Sequence, residues 1–379
     1  MIADTNAISP DARAVLTINL AALRDNWSAL AHVSGAAECA GVIKANAYGL
    51  GLRQITEALI AGGCKTFFVA TLSEARVVRE THPGAKIYVL DGLLPCASAY
   101  YAGFDLRPCL SSLAEVREWA AYCGAIGRRL RAAVHVDTGL NRLGLTAAEV
   151  IELAGAERGL FDQFEMALLM SHLACADEPE NLMNTTQRMR FNAIRGLFPS
   201  APASLANSGG TFLGPDFHYD LVRPGIALYG GRALEGRPNP MRWVVKFQAR
   251  ILQVREVCAG ERIGYGASFT TERPSRIATV ACGYADGFLR ALSGPSGTPG
   301  PVGFIGDYPV PVVGRVSMDL ITVDVTDVPE NQAVRGAWVE VLGSRTTIDD
   351  LTDRAGTIGY ELLTRLGQRV QRTYEDIGR

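Results

Sequence analysis

Short apolar runs recur from about Asn19 to Tyr229, and stretches with helical spacing lie between most of them. The runs Cys39–Lys44, Thr66–Ala70, Lys86–Leu90, Leu106–Cys109, Ala132–Val136, Ala167–Ser171, Ala203–Ala206 and Leu221–Arg223 predict strands. Gln54–Ala61, Leu72–Glu80, Leu113–Tyr122, Ala147–Ala156 and Thr186–Leu197 predict helices. The strands are continuous apolar runs rather than alternating ones, as expected of strands covered on both faces. About eight strand–loop–helix units in roughly two hundred residues suit a (β/α)8 barrel, with a doubly wound open sheet as the alternative.

The pattern changes near Arg237-Pro-Asn-Pro240. Alternating, β-rich segments follow at Val244–Val254, Ile277–Ala281, Val310–Val313, Leu320–Val325 and Trp338–Leu342, with Gly and Pro clustered between them, notably over Ser293–Gly303. The fold expected is therefore α/β, an N-terminal TIM-type barrel over residues 19–240 followed by a mostly β domain over 241–379. The early strand-like segment Ala14–Leu20 precedes the first barrel helix, so residues 1–18 are expected to be a tail and a strand packing with the β domain.

Composition narrows the class without naming it. Apolar residues make up 48% of the 379 residues and charged ones 20%, the balance of a globular enzyme. The net charge of -2 leaves no footprint for nucleic acid or an anionic membrane, and no apolar run reaches the roughly 18 residues of a membrane span. Met1 to Arg13 carries Asp4 and Asp11, lacks a basic start with an apolar core, and reads as a loose tail rather than a secretory signal. The eight cysteines form no C-x-x-C pair and do not group with the five histidines at metal-ligand spacing. Reduced thiols in a cytoplasmic protein, with no bound metal, fit this usage.

Candidate chemistry sits where barrel strands end, the place where barrel enzymes gather catalytic groups. The string Ala40-Gly-Val-Ile-Lys-Ala-Asn-Ala-Tyr-Gly-Leu-Gly51 delivers Lys44 to the end of an apolar run. A lysine beside apolar walls has its pKa lowered and can act as nucleophile or base, or form a Schiff base with an aldehyde cofactor; taken alone, a solvated surface lysine is the commoner reading. Tyr48 is close enough in sequence to face the same mouth; a packed loop tyrosine is the plain alternative. Arg142 follows the Asp137-Thr-Gly turn and suits bidentate capture of a carboxylate, or is a surface arginine. His172 ends the sixth strand as an acid/base, a cofactor partner or a satisfied structural histidine. Asn207, Ser208 and the glycines after them can present amides and a hydroxyl to an oxyanion, or form a simple turn. Arg223 lies in an apolar run and needs a partner, while Gly225 and Ile226 follow the last strand, where barrels often hold phosphate. In the β-rich half, Tyr265, Tyr284, Met318 and Tyr360 fall in turn-like motifs that are ordinary one by one.

Together these segments, from about Thr17 to Tyr374, resemble the alanine racemases, with motifs in family order and at family-like spacing. The resemblance implies a homodimeric pyridoxal 5'-phosphate enzyme that interconverts L- and D-alanine and supplies D-alanine for peptidoglycan. It implies that Lys44 holds the cofactor and is the base on the D-alanine face. Tyr265, from the partner subunit of a head-to-tail dimer, is implied to be the base on the L-alanine face. Racemisation needs such a pair on opposite faces of Cα. His172 and Arg223 would link Tyr265 to the cofactor ring, with Arg223 facing the pyridine nitrogen. Tyr48, Asn207, Ser208, Gly225, Ile226 and Tyr360 would bind the cofactor, most of them at its phosphate. Arg142 and the partner's Met318 backbone would bind the substrate carboxylate, and Tyr284, also contributed across the interface, would narrow the entrance.

One position departs from that pattern. Many members carry a carbamylated lysine, whose charge orients the carboxylate-binding arginine, where this chain has His135. Histidine cannot carry that modification in the same way, so Asn141, a neutral ring nitrogen of His135 or a bound anion is expected to hold Arg142, and activity is expected not to depend on bicarbonate. A broader amino-acid racemase is the close alternative. A non-catalytic pyridoxal-phosphate carrier is the alternative from another class, but a carrier has no use for Tyr265 and Met318.

Overall fold

The computed structural model describes residues 7–376. It contains two compact units, one built from Leu23–Leu228 with Arg232–Met241, the other from the described part of Met1–Ala22 with Tyr229–Gly231 and Arg242–Arg379. Among the described residues no helix is long and apolar enough to cross a membrane.

In the first unit seven parallel strands follow chain order: Gly41–Val42, Thr66–Val69, Lys86–Val89, Arg107–Leu110, Arg131–His135, Glu165–Met170 and Ala203–Ser204. An eighth, Leu221–Val222, pairs in parallel with Glu38–Cys39, the segment just ahead of Gly41. Backbone bonds close the ring. The Arg223 N–H donates to the Ala206 carbonyl at 2.9 Å on one side, and the Ala40 and Val42 N–H groups donate to Val222 and Pro224 at 3.0 and 3.1 Å on the other. A closed barrel leaves no sheet edge and excludes the open-sheet alternative. Parallel neighbours require crossovers, and helices such as Leu52–Ala61, Leu72–Thr81, Leu113–Ile126 and Leu182–Arg195 supply them. The starts are written in the sequence: Thr71 with Glu74, and Thr146 with Glu149, form reciprocal capping boxes. The barrel interior is filled. Phe68 and Tyr88 stack at 4.9 Å, the Arg223 guanidinium lies over Phe68, and Arg107 lies over Tyr88 while donating to its hydroxyl at 2.8 Å.

The second unit is built on an eight-stranded sheet with mostly antiparallel pairing. Ala14–Asn19 runs antiparallel to the long strand Val245–Val257 and parallel to Gln371–Glu375. The early segment thus joins this sheet. The strand Gln371–Glu375 escapes a reading by pattern because only Thr373 within it is buried. The helices Ile348–Ala355 and Gly359–Thr364 were likewise not anticipated in a β-rich segment. Part of the tail expected over Met1–Arg13 lies outside the described residues. From Ala7 onward the chain is tied down rather than loose: Gln371 accepts from the Ser9 N–H at 3.0 Å and donates to the Ala7 carbonyl at 2.9 Å.

Candidate active site

The loops at the C-terminal ends of the barrel strands carry the polar groups singled out above. Lys44 does not end its strand, which stops at Val42; it opens a turn. Ala45, Asn46, Ala47 and Tyr48 all have φ between 52° and 56°, four successive left-handed residues without a glycine. Such a turn costs on the order of 4–8 kcal/mol, at about 1–2 kcal/mol per residue, so its surroundings must impose it. Glu74 is the main external brace. One carboxylate oxygen accepts from the Asn46 N–H at 3.0 Å, and the other caps Ala70 and Thr71 at the next helix. The Asn46 side chain in turn accepts from the Leu52 N–H at 2.8 Å. Burial, reinforced by the positive charge of Arg142, lowers the pKa of Lys44, while Asp91 and Glu74 oppose the shift. The free amine is therefore more available than on an ordinary lysine.

A cluster of a hydroxyl and backbone amides lies at the ends of the seventh and eighth strands. Ser208 starts a short helix capped by Asn207, whose side-chain oxygen accepts from the Gly210 N–H at 2.9 Å. The buried Ser208 hydroxyl accepts from the Gly225 N–H at 2.8 Å and from the Ala227 N–H at 3.4 Å. Ala227, rather than Ile226, donates the second amide, and no side-chain signal marks it in the sequence. Tyr48 is buried against the same place: any side chain at position 225 would collide with its hydroxyl, so glycine is required there by close approach.

Arg223 is buried, and among the described residues no carboxylate meets its guanidinium. It donates to the Ser204 hydroxyl, to the Ser171 carbonyl at 2.5 Å and to the Leu205 carbonyl at 3.5 Å. Burial pulls its pKa down to about 10, which leaves it charged near neutrality. Its charge adds to burial in holding His172 well below the ordinary histidine range. His135 is likewise lowered to about 4, first by burial and then by Arg223. Its Nδ1 lies 3.3 Å from the Ser111 hydroxyl. Both rings are neutral at physiological pH.

Arg142 is exposed, and among the described residues no hydrogen bond or ion pair reaches its side chain. Its loop is nonetheless fixed. An Asp137 carboxylate oxygen accepts from the N–H groups of Gly139, Leu140 and Asn141 at 2.9, 2.9 and 3.2 Å. Arg190 donates to the Thr138 carbonyl at 3.0 Å.

Tyr265, Tyr284, Met318 and Tyr360 belong to the second unit. They expose 73%, 42%, 54% and 40% of their surface, unusual for side chains of this size. The loops bearing Tyr284 and Met318 are locked together. The Tyr284 and Ala285 N–H groups donate to the Ser317 and Met318 carbonyls at 3.1 and 3.0 Å. Arg369 grips the buried Asp286 through two bonds and Asp319 through a third at 2.6 Å. Asp286 and Arg369 were not anticipated, because 83 residues separate the partners.

Comparison with known proteins matches this chain at two levels. The family model for the alanine racemase N-terminal domain covers residues 18–233, and that for the alanine racemase C-terminal domain covers residues 244–374. Alanine racemase of Methylobacterium nodulans is 49% identical over 95% of either chain, and that of Rhodospirillum rubrum is 48% identical over 96% of either chain. The crystal structure of alanine racemase from Bartonella henselae with covalently bound pyridoxal phosphate superposes with a TM-score of 0.89 at 39% identity, over 96% of this chain and 100% of that one. Two models end to end, high identity over nearly the whole length and a shared fold lead to one conclusion: the chain belongs to the alanine racemase family.

Proposed function

We propose that this protein interconverts L- and D-alanine with pyridoxal 5'-phosphate and supplies D-alanine for peptidoglycan. The observation that carries the reading is the meeting, at one barrel mouth, of an amine with a lowered pKa, an amide-and-hydroxyl cradle and a buried arginine without a carboxylate. These groups fit the cofactor. Ser208, Gly225 and Ala227 offer a hydroxyl and amides for a phosphate beside the Tyr48 hydroxyl, which a side chain at 225 would strike. Asn207, Ile226 and Tyr360 complete the proposed binding set. When bound, pyridoxal phosphate supplies an aldehyde for an amine and a conjugated ring that accepts negative charge from Cα.

Lys44 is proposed to hold the cofactor through its Nζ and to move the Cα proton on the D-alanine face. The Tyr265 hydroxyl of a partner chain moves it on the L-alanine face. The neutral ring of His172, beside the charged Arg223, suits a relay between that hydroxyl and the cofactor ring. Arg223, which keeps its own protons, would donate to the pyridine nitrogen of the bound cofactor, and this would restrain charge build-up and so favour racemisation over side reactions. Arg142 and the Met318 backbone hold the substrate carboxylate, and Tyr284 narrows the entrance. The reading includes a head-to-tail homodimer, supported by the exposure of Tyr265, Tyr284 and Met318, and a cytoplasmic location, supported by eight unpaired cysteines. It assigns residues 19–240 to the cofactor domain and 241–379, with the strand before residue 19, to the domain that completes a neighbour's site. A carrier with the same barrel needs none of the exposed groups of the second unit.

The test is proton exchange. Holoenzyme mixed with L-alanine in D2O yields D-alanine deuterated at Cα. Cofactor binding without exchange for any of a panel of amino acids would refute a racemase, and faster exchange with serine or a basic residue would identify the broader enzyme.

The neutral, buried His135 leaves no amine to carry a carbamate. Stripping and restoring bicarbonate is expected to change the racemisation rate by less than about twofold, since no charge at the site is gained or lost. A several-fold gain on restoring it would overturn this expectation.

A further inference from the structure

Gln187 lies on the helix Leu182–Arg195, outside every motif considered above, and its side chain is completely buried. Both of its polar atoms are bonded. Its Nε2 donates to the Thr138 hydroxyl at 3.2 Å and to the His172 carbonyl at 2.9 Å, while its Oε1 accepts from the Ala174 N–H at 2.8 Å. The amide orientation is fixed chemically, because the Ala174 N–H can meet only an acceptor. Two further bonds extend the link. The hydroxyls of Thr138 and Ser171 lie 2.8 Å apart, and the Ser171 carbonyl accepts from Arg223. Thr138 and Ser171 are also buried.

We infer that Gln187 is a positioning residue that sets the Arg142 loop against His172 and Arg223. One amide joins the loop after the fifth strand to the loop after the sixth, and Ser171 carries the connection to the eighth. With no carbamate to orient Arg142, the carboxylate-binding guanidinium takes its place from its backbone. That backbone is held from inside by Asp137 and from outside by Arg190 on the Thr138 carbonyl, with Gln187 fixing the Thr138 side chain. A group that acts only by placing Arg142 changes substrate capture more than turnover. This inference rests on the reading of Arg142 as the carboxylate-binding residue.

The experiment compares Gln187→Met, Thr138→Val and Arg142→Ala as holoenzymes. Thr138→Val is nearly isosteric and removes both bonds of the Thr138 hydroxyl, to Gln187 and to Ser171, while leaving Gln187 in place, so it carries the test if Gln187→Met folds poorly. The probe is propionate, which has the carboxylate and methyl of alanine but no amine to react with the cofactor. The inhibition constant for propionate and the KM for alanine are expected to rise about tenfold in both link variants, with kcat falling less than about threefold. The cofactor absorbance and melting temperature serve as fold controls. If Arg142→Ala weakens propionate and the link variants do not, the inference is overturned while the reading of Arg142 stands. If Arg142→Ala leaves propionate unaffected, that reading fails and the inference falls with it.

Discussion

Lys44→Ala is expected to lower racemisation by about 10⁴-fold or more, because on the proposed roles it removes an acid/base worth about 10²–10⁴-fold together with the amine that would hold the cofactor. The loss is specific to that amine. Lys44 sits on a turn fixed by backbone bonds and by Glu74, so truncating its side chain leaves the turn's supports intact. The cradle of Ser208, Gly225 and Ala227 is also untouched, so pyridoxal phosphate is expected to bind the variant without the covalent link. Two readouts separate these effects. The absorbance of reconstituted Lys44→Ala should match cofactor that is bound but not attached, and a small primary amine in the buffer should restore part of the exchange at Cα. Activity within about tenfold of wild type would place the essential base elsewhere. Failure to bind the cofactor at all would show that the cradle does not hold it unaided.

The barrel was legible because burial on both faces makes a strand a short apolar run, and eight such runs separated by helical spacing leave few architectures. The lysine drew notice through the whole string Ala40–Gly51 rather than through its charge, since a lone lysine reads as surface. Its local geometry was not legible. Ala45, Asn46, Ala47 and Tyr48 contain no glycine, and nothing in their side chains announces four left-handed residues in succession. The brace that enforces the turn, Glu74, is 28 residues away and reads as an ordinary member of a capping box. It fills both roles with one carboxylate.

The same limit applies to groups that act through others. Gln187 looks like one polar residue on an amphipathic helix, and its partner Thr138 is 49 residues earlier. Ala227 contributes only a backbone amide. Asp286 and Arg369 read as a turn residue and a surface charge until the fold brings them together. Chemistry that lives in a side chain at a strand end can be read along the chain; chemistry that lives in the backbone, or in a contact made by topology, cannot.

Co-expressed Lys44→Ala and Tyr265→Phe chains are expected to form an active hybrid from two inactive parents. Tyr265 is raised on a loop between Gly264 and Gly266, both with positive φ, and most of its surface is open in its own unit. A partner's barrel mouth is the environment that would give so exposed a phenol a role. Each parent should lose at least about 10²-fold, since each lacks one of the two proposed proton carriers. In a head-to-tail dimer with shared sites, the hybrid places both substitutions in one site and leaves the other wild type. Chains carrying different tags, purified through both, should therefore recover about half of the wild-type rate per dimer, and unselected random dimers about a quarter. If each site were made by one chain, the hybrid would hold one site without Lys44 and one without Tyr265, and its rate would stay near that of the parents. The measurement thus separates a shared site from a self-contained one without depending on the absolute size of either single defect.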